Sequence, residues 1–132
     1  MKTKIILWTM VGFIAGLFFG LPQILAEDRS SMTGNWEIKI DRTVWGMSGQ
    51  QTLLFEIQQQ SGKITGKCSG PAGISEVSGD IKGNDFQFTE YQAKQMYVIY
   101  KGKVEGSRVT GSCEYDYLNG MAGKGTFVGE RK

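Results

Sequence analysis

The chain has 132 residues, with 15 basic and 13 acidic side chains, 19 glycines, two cysteines and no histidine. Lys2 and Lys4 stand apart in an apolar N-terminal segment; beyond it basic and acidic residues balance at 13 each and never form a block. That pattern excludes the clustered Lys and Arg of a nucleic-acid partner and gives no basis for recognising an anionic lipid surface.

From the start, Lys2 and Lys4 form a short positive region before an uncharged run, residues 5–21, in which Thr9 is the one polar interruption. Pro22 then breaks any helix, and a small residue at Ala26 suits a processing peptidase. Residues 1–26 therefore read as a signal peptide cut after Ala26. Two features fit retention instead. The run is near the lower length limit of a spanning helix, roughly 17 residues. Gly12, Gly16 and Gly20 recur every fourth position, the spacing at which membrane helices pack closely. Both outcomes stay open: a removed signal, or a transmembrane anchor through residues 5–21. No cysteine lies near the cut, so a lipid anchor is not expected. In either case the positive-inside bias exports everything from Glu27 onward, to the periplasm or the extracellular space. Residues 27–33 read as a linker and 34–132 as one small domain.

The exported part alternates. Residues 35–41 put Trp36, Ile38 and Ile40 on one face and Glu37, Lys39 and Asp41 on the other. Residues 53–58 repeat this with Leu53, Phe55 and Ile57, and residues 85–90 with Phe86 and Phe88. Turn residues divide the domain into eight strands, at about 34–42, 51–59, 62–69, 73–82, 84–90, 95–105, 107–117 and 123–131. A repeated phrase, KITGKC at 63–68 and RVTGSC at 108–113, follows a tight turn each time. Successive hairpins of this kind form an antiparallel up-and-down meander, and eight strands close most economically into an all-β barrel without edges.

The expected links alternate in length. Tight turns join strands two to three, four to five and six to seven. Longer links, 43–50, 70–72, 91–94 and 118–122, would gather at the opposite end as a loop-rimmed mouth. Trp45, Met47, Tyr91, Leu118 and Met121 lie there. Either they fold in and plug the barrel, or they receive a small apolar ligand or a protein partner. A retained anchor would leave this mouth facing away from the membrane.

Gly34-Asn35-Trp36 opens the first strand and Arg131 closes the last. This arrangement resembles the calycin barrels, the group of lipocalins, fatty-acid-binding proteins and avidins. The resemblance implies that Trp36 crosses the barrel floor and that Arg131 packs over its indole. It reaches only Gly34, Trp36 and Arg131 in sequence, and it implies no particular ligand.

Cys68 and Cys113 occupy equivalent places in the repeated phrase and should both face inward. In an exported chain the pair is expected to form a disulfide, which would need the barrel to be narrow or flattened between the third and seventh strands. The alternative is two buried, unreactive thiols. Without histidine the chain lacks the commonest general base and metal ligand, so no metal, cofactor or enzymatic activity is expected. Among the carboxylates, Glu76 and Asp80 lie in the fourth strand, and Glu114 and Asp116 in the seventh share with Arg108 and Thr110 a face that reads as the solvated exterior. A hydrolase or isomerase working through carboxylates alone would need them in a cavity. The readings that remain are an exported binding barrel and a membrane-anchored accessory subunit of a larger assembly.

Overall fold

The computed structural model describes residues 31–118 and 120–132. The expected signal or anchor, with Gly12, Gly16 and Gly20, lies outside the described residues. Among the described residues no helix is long and apolar enough to cross a membrane.

Eight strands follow one another: β1 Gly34–Val44, β2 Met47–Gln60, β3 Lys63–Gly70, β4 Gly73–Lys82, β5 Asp85–Ala93, β6 Met96–Glu105, β7 Arg108–Tyr117 and β8 Gly120–Arg131. Each pairs antiparallel with its neighbours in sequence, and β8 returns to β1, so the sheet is a closed barrel. The period-two pattern determines which face is buried. Trp36, Ile38 and Ile40 of β1 and Leu53, Phe55 and Ile57 of β2 are all in the core.

The expected alternation of link lengths is not what forms. Two residues make every link, including Trp45-Gly46, Pro71-Ala72, Lys94-Gln95 and residues 118–119. The supposed loops are strand ends: β1 runs to Val44, β2 starts at Met47, β5 continues to Ala93 and β8 starts at Gly120. The reason is backbone conformation at residues that do not advertise it. Trp45 (φ 50°), Gln95 (φ 62°) and Leu118 (φ 58°) take the left-handed region that short hairpins need and that Gly or Asn usually supplies.

Side chains fill the middle of the barrel. Phe55, Phe86, Phe88, Tyr100 and Phe127 form a ring cluster drawn from β2, β5, β6 and β8, with successive centroids 5.0–6.2 Å apart. Gly111 makes this possible. A Cβ there would lie 2.1 Å from the Lys101 carbonyl oxygen and 2.8 Å from the Phe127 ring.

One end is sealed. Trp36 lies across it, its indole N–H donating to the Met32 carbonyl at 2.8 Å, and Met32 itself is buried. The Arg131 guanidinium sits 4.5 Å above the Trp36 ring and donates to the carbonyls of Thr33 and Gly106. Gly34, at φ 141°, brings the chain in where a Cβ would press on the Arg131 side chain at 3.2 Å.

Candidate functional site

In an up-and-down barrel alternate turns share an end, so the hairpins β1–β2, β3–β4, β5–β6 and β7–β8 meet opposite Trp36. Among the described residues, the exposed large apolar side chains are Trp45, Met47, Leu54, Ile74, Tyr91, Leu118, Met121 and Val128. All except Leu54 and Val128 belong to this open end. The five residues expected at the mouth are therefore together, on hairpin tips and strand ends in place of loops. Ile74, next to Pro71-Ala72, joins them. It was missed because the 70–72 link was read for its backbone and not for its flank.

Charge follows the same division. Within two residues of the four open-end turns the charged residues are Lys94 and Asp116. At the three sealed-end turns they are Lys63, Lys82, Asp85, Glu105 and Arg108. One end is thus apolar and almost uncharged, the other wetted by ions.

Trp45 and Leu118 are held there against local preference. Both are bulky, exposed and left-handed, a conformation that costs such residues roughly 1–2 kcal/mol. Leu118 is 68% exposed, so its removal sacrifices little packing. Leu118→Asn should raise the stability of the barrel by about 0.5–1 kcal/mol, read as a higher urea midpoint at constant slope. A lower midpoint would show that the leucine serves the fold.

Beneath the rim lies a polar layer that sequence reading did not find. Glu90 is almost fully buried. Tyr100 donates to its Oε1 at 2.8 Å and Gln92 Nε2 donates to its Oε2 at 3.3 Å. The Tyr117 hydroxyl donates in turn to Gln92, and the Tyr117 ring lies 5.4 Å from that of Trp45. The signal was present: Phe86, Phe88 and Glu90 share one phase of β5. The alternation was followed through the phenylalanines and not through the acid after them. Glu114 is exposed and Asp116 half-buried in the outward phase of β7, as expected of an exterior, and Glu76 and Asp80 on β4 are exposed as well.

Cys68 and Cys113 are buried but unbridged, which corrects the expected disulfide. They stand on β3 and β7, four strands apart in an eight-membered ring and hence on opposite walls. The Phe55 and Tyr100 rings, each on a strand beside one of the cysteines, meet in the lumen at 5.4 Å. Burial pushes the Cys113 thiol up to about 11. Burial, then the charge and hydrogen bond of Glu90, push Cys68 higher. Thiolate is the reactive form. Iodoacetamide at pH 8 should accordingly modify neither cysteine in the native protein and both after denaturation, as counted by intact mass; native labelling at either position would contradict the buried arrangement.

Among the described residues no group of three or more Cys, Asp or Glu is placed to hold a metal ion. A cleft of about 650 Å³ lies on the outer wall over β2, β3 and β4, flanked by Glu56, Lys67 and Glu76. No protein-family model matches the chain, and no curated protein matches it.

Proposed function

We propose that this chain is an exported, non-catalytic β-barrel binding protein whose open end docks an apolar surface of a protein partner. The observation that carries this reading is the gathering of Trp45, Met47, Ile74, Tyr91, Leu118 and Met121 at one end whose hairpin tips carry almost no charge. Contiguous exposed apolar surface of this kind marks interaction sites. A packed ring cluster occupies the middle of the barrel, so the end favours a surface contact over a small apolar ligand deep in the lumen. The left-handed Trp45 and Leu118 support the same view, since strain retained at exposed positions points to use. The Trp36–Arg131 stack and the Gly34 entry support placement among calycin-like barrels.

A photo-crosslinking amino acid at position 118, in cells that make the protein, should yield a discrete adduct of protein mass. The same group at Val128, exposed on the wall, should not. An adduct of small-molecule mass would favour the ligand reading, and no adduct at position 118 would remove the docking face.

The three glycines at four-residue spacing favour a second reading, a membrane-anchored accessory subunit whose helix packs in a larger assembly. The mass of the native N-terminus separates the two. A start at Glu27 removes the anchor, and an intact N-terminal segment supports it.

A further inference from the structure

Arg42 occupies the inward phase of β1, between Ile40 and Val44 near the open end. It is half-buried, and among the described residues no carboxylate lies within ion-pair distance of it. Half-buried charges are normally paired, because desolvation is otherwise uncompensated. Its guanidinium instead lies 5.6 Å from the centre of the Tyr115 ring on β7. The β8 strand between them presents Gly123 and Gly125, which leave a lane free of side chains. Tyr115 is 1% exposed, and its hydroxyl, beside Arg42 and the Cys113 thiol, completes no hydrogen bond of full geometry. Buried hydroxyls are rarely left so. On the other flank Arg42 pairs with Gly49 of β2, and a Cβ at Gly49 would have nothing within 4 Å. A cation with no carboxylate beside it, a buried hydroxyl short of a full hydrogen bond on one flank and open space on the other lie under the apolar rim.

We propose that Arg42 and Tyr115 form a carboxylate site, filled by the C-terminal carboxylate of an apolar peptide tail of the partner. The guanidinium supplies a charge-assisted contact and the hydroxyl a further donor. Trp45, Met47 and Leu118 take the apolar side chains that precede the carboxylate. A chain end is the part of a protein narrow enough to enter here, because the aromatic cluster stops deeper insertion. This inference rests on the open end being the docking face.

The test uses the full chain as its cells leave it and two probes, a leucine- and phenylalanine-rich tetrapeptide with a free C-terminus and the same peptide amidated. Calorimetry should show the free acid binding wild type at least tenfold more tightly than the amide. Arg42→Gln should bring that ratio close to one. Gly49→Val should weaken the acid at least tenfold with the urea midpoint unchanged, since the new side chain meets nothing in the fold. Tyr115→Phe should weaken it several-fold without lowering the midpoint. Equal binding of acid and amide to wild type would overturn the carboxylate site and leave the apolar docking face standing. Binding of neither would remove both. Binding of decanoate through Arg42 without binding of the peptide would overturn the peptide tail as occupant.

Discussion

Trp36→Ala is expected to cost about 3–5 kcal/mol, the range for deleting a buried large aromatic. A domain of this size has a total stability of about 5–15 kcal/mol, so this one change removes a large share of it. Three losses coincide. The indole is 1% exposed and its removal opens a void at the sealed end. The Met32 carbonyl loses its donor at 2.8 Å, releasing the segment that enters β1. Arg131 loses the ring beneath it, a contact of about 0.5–2 kcal/mol. Urea unfolding followed by far-ultraviolet dichroism measures the total, and a loss below about 1 kcal/mol would mean that Trp36 does not hold that end. Arg131→Met separates the stack from the packing. It keeps an apolar stem over the indole and gives up the cation and its hydrogen bonds to Thr33 and Gly106, so it should cost distinctly less than Trp36→Ala.

The barrel should also lose stability steeply in alkali. Cys68, Cys113, Tyr100 and Tyr115 all hold their protons to higher pH in the folded state, burial being the largest cause for each. For Tyr100 the nearby Glu90 carboxylate adds to the rise; for Tyr115 the neighbouring Cys113 adds to it, and the hydrogen bond and charge of Arg42 offset part. Below pH 9 thiols and phenols are protonated both folded and unfolded, and their contribution is fully present. Above it the unfolded chain releases protons that the folded chain keeps, so each further unit favours unfolding by about 1.4 kcal/mol per responding group. For Cys113 that window runs from its ordinary 9.0 to about 11. The two thiols together should therefore remove about 1 kcal/mol per unit at pH 9 and about 2 kcal/mol per unit near pH 10, with the phenols adding above that. Urea midpoints at pH 8, 9.5 and 10.5 under reducing conditions give the slope. A flat profile would contradict the buried protonated state. Cys68→Val with Cys113→Val should remove most of the fall between pH 9 and 10 and leave the later, tyrosine-driven part.

Much of the architecture can be read one residue at a time. Whether a side chain faces in or out depends on the parity of its position, so Trp36, Phe55, Phe88 and Val109 show their place without any partner in view. Turn chemistry at Ser61-Gly62, Gly83-Asn84 and Gly106-Ser107 is equally local, and it marks the three hairpins of the sealed end. The other four turns carry Trp, Pro, Lys and Leu, whose preferences do not announce a two-residue bend. There the register of long neighbouring strands imposes the conformation, and the expected loops become strand ends.

The amino-acid sequence by itself determined the eight antiparallel strands, the inward set that fills the barrel and the apolar residues collected at one end, because alternation and turn propensity act over a few residues. Tertiary structure alone decided that the cysteines stay unbridged, that Glu90 is buried beside Tyr100 and Gln92, and that Arg42 lies over Tyr115 with no acid beside it. Those relations join side chains on strands up to four places apart around a closed ring. Their distances depend on how the sheet curves and on where glycines leave gaps, which no local pattern encodes.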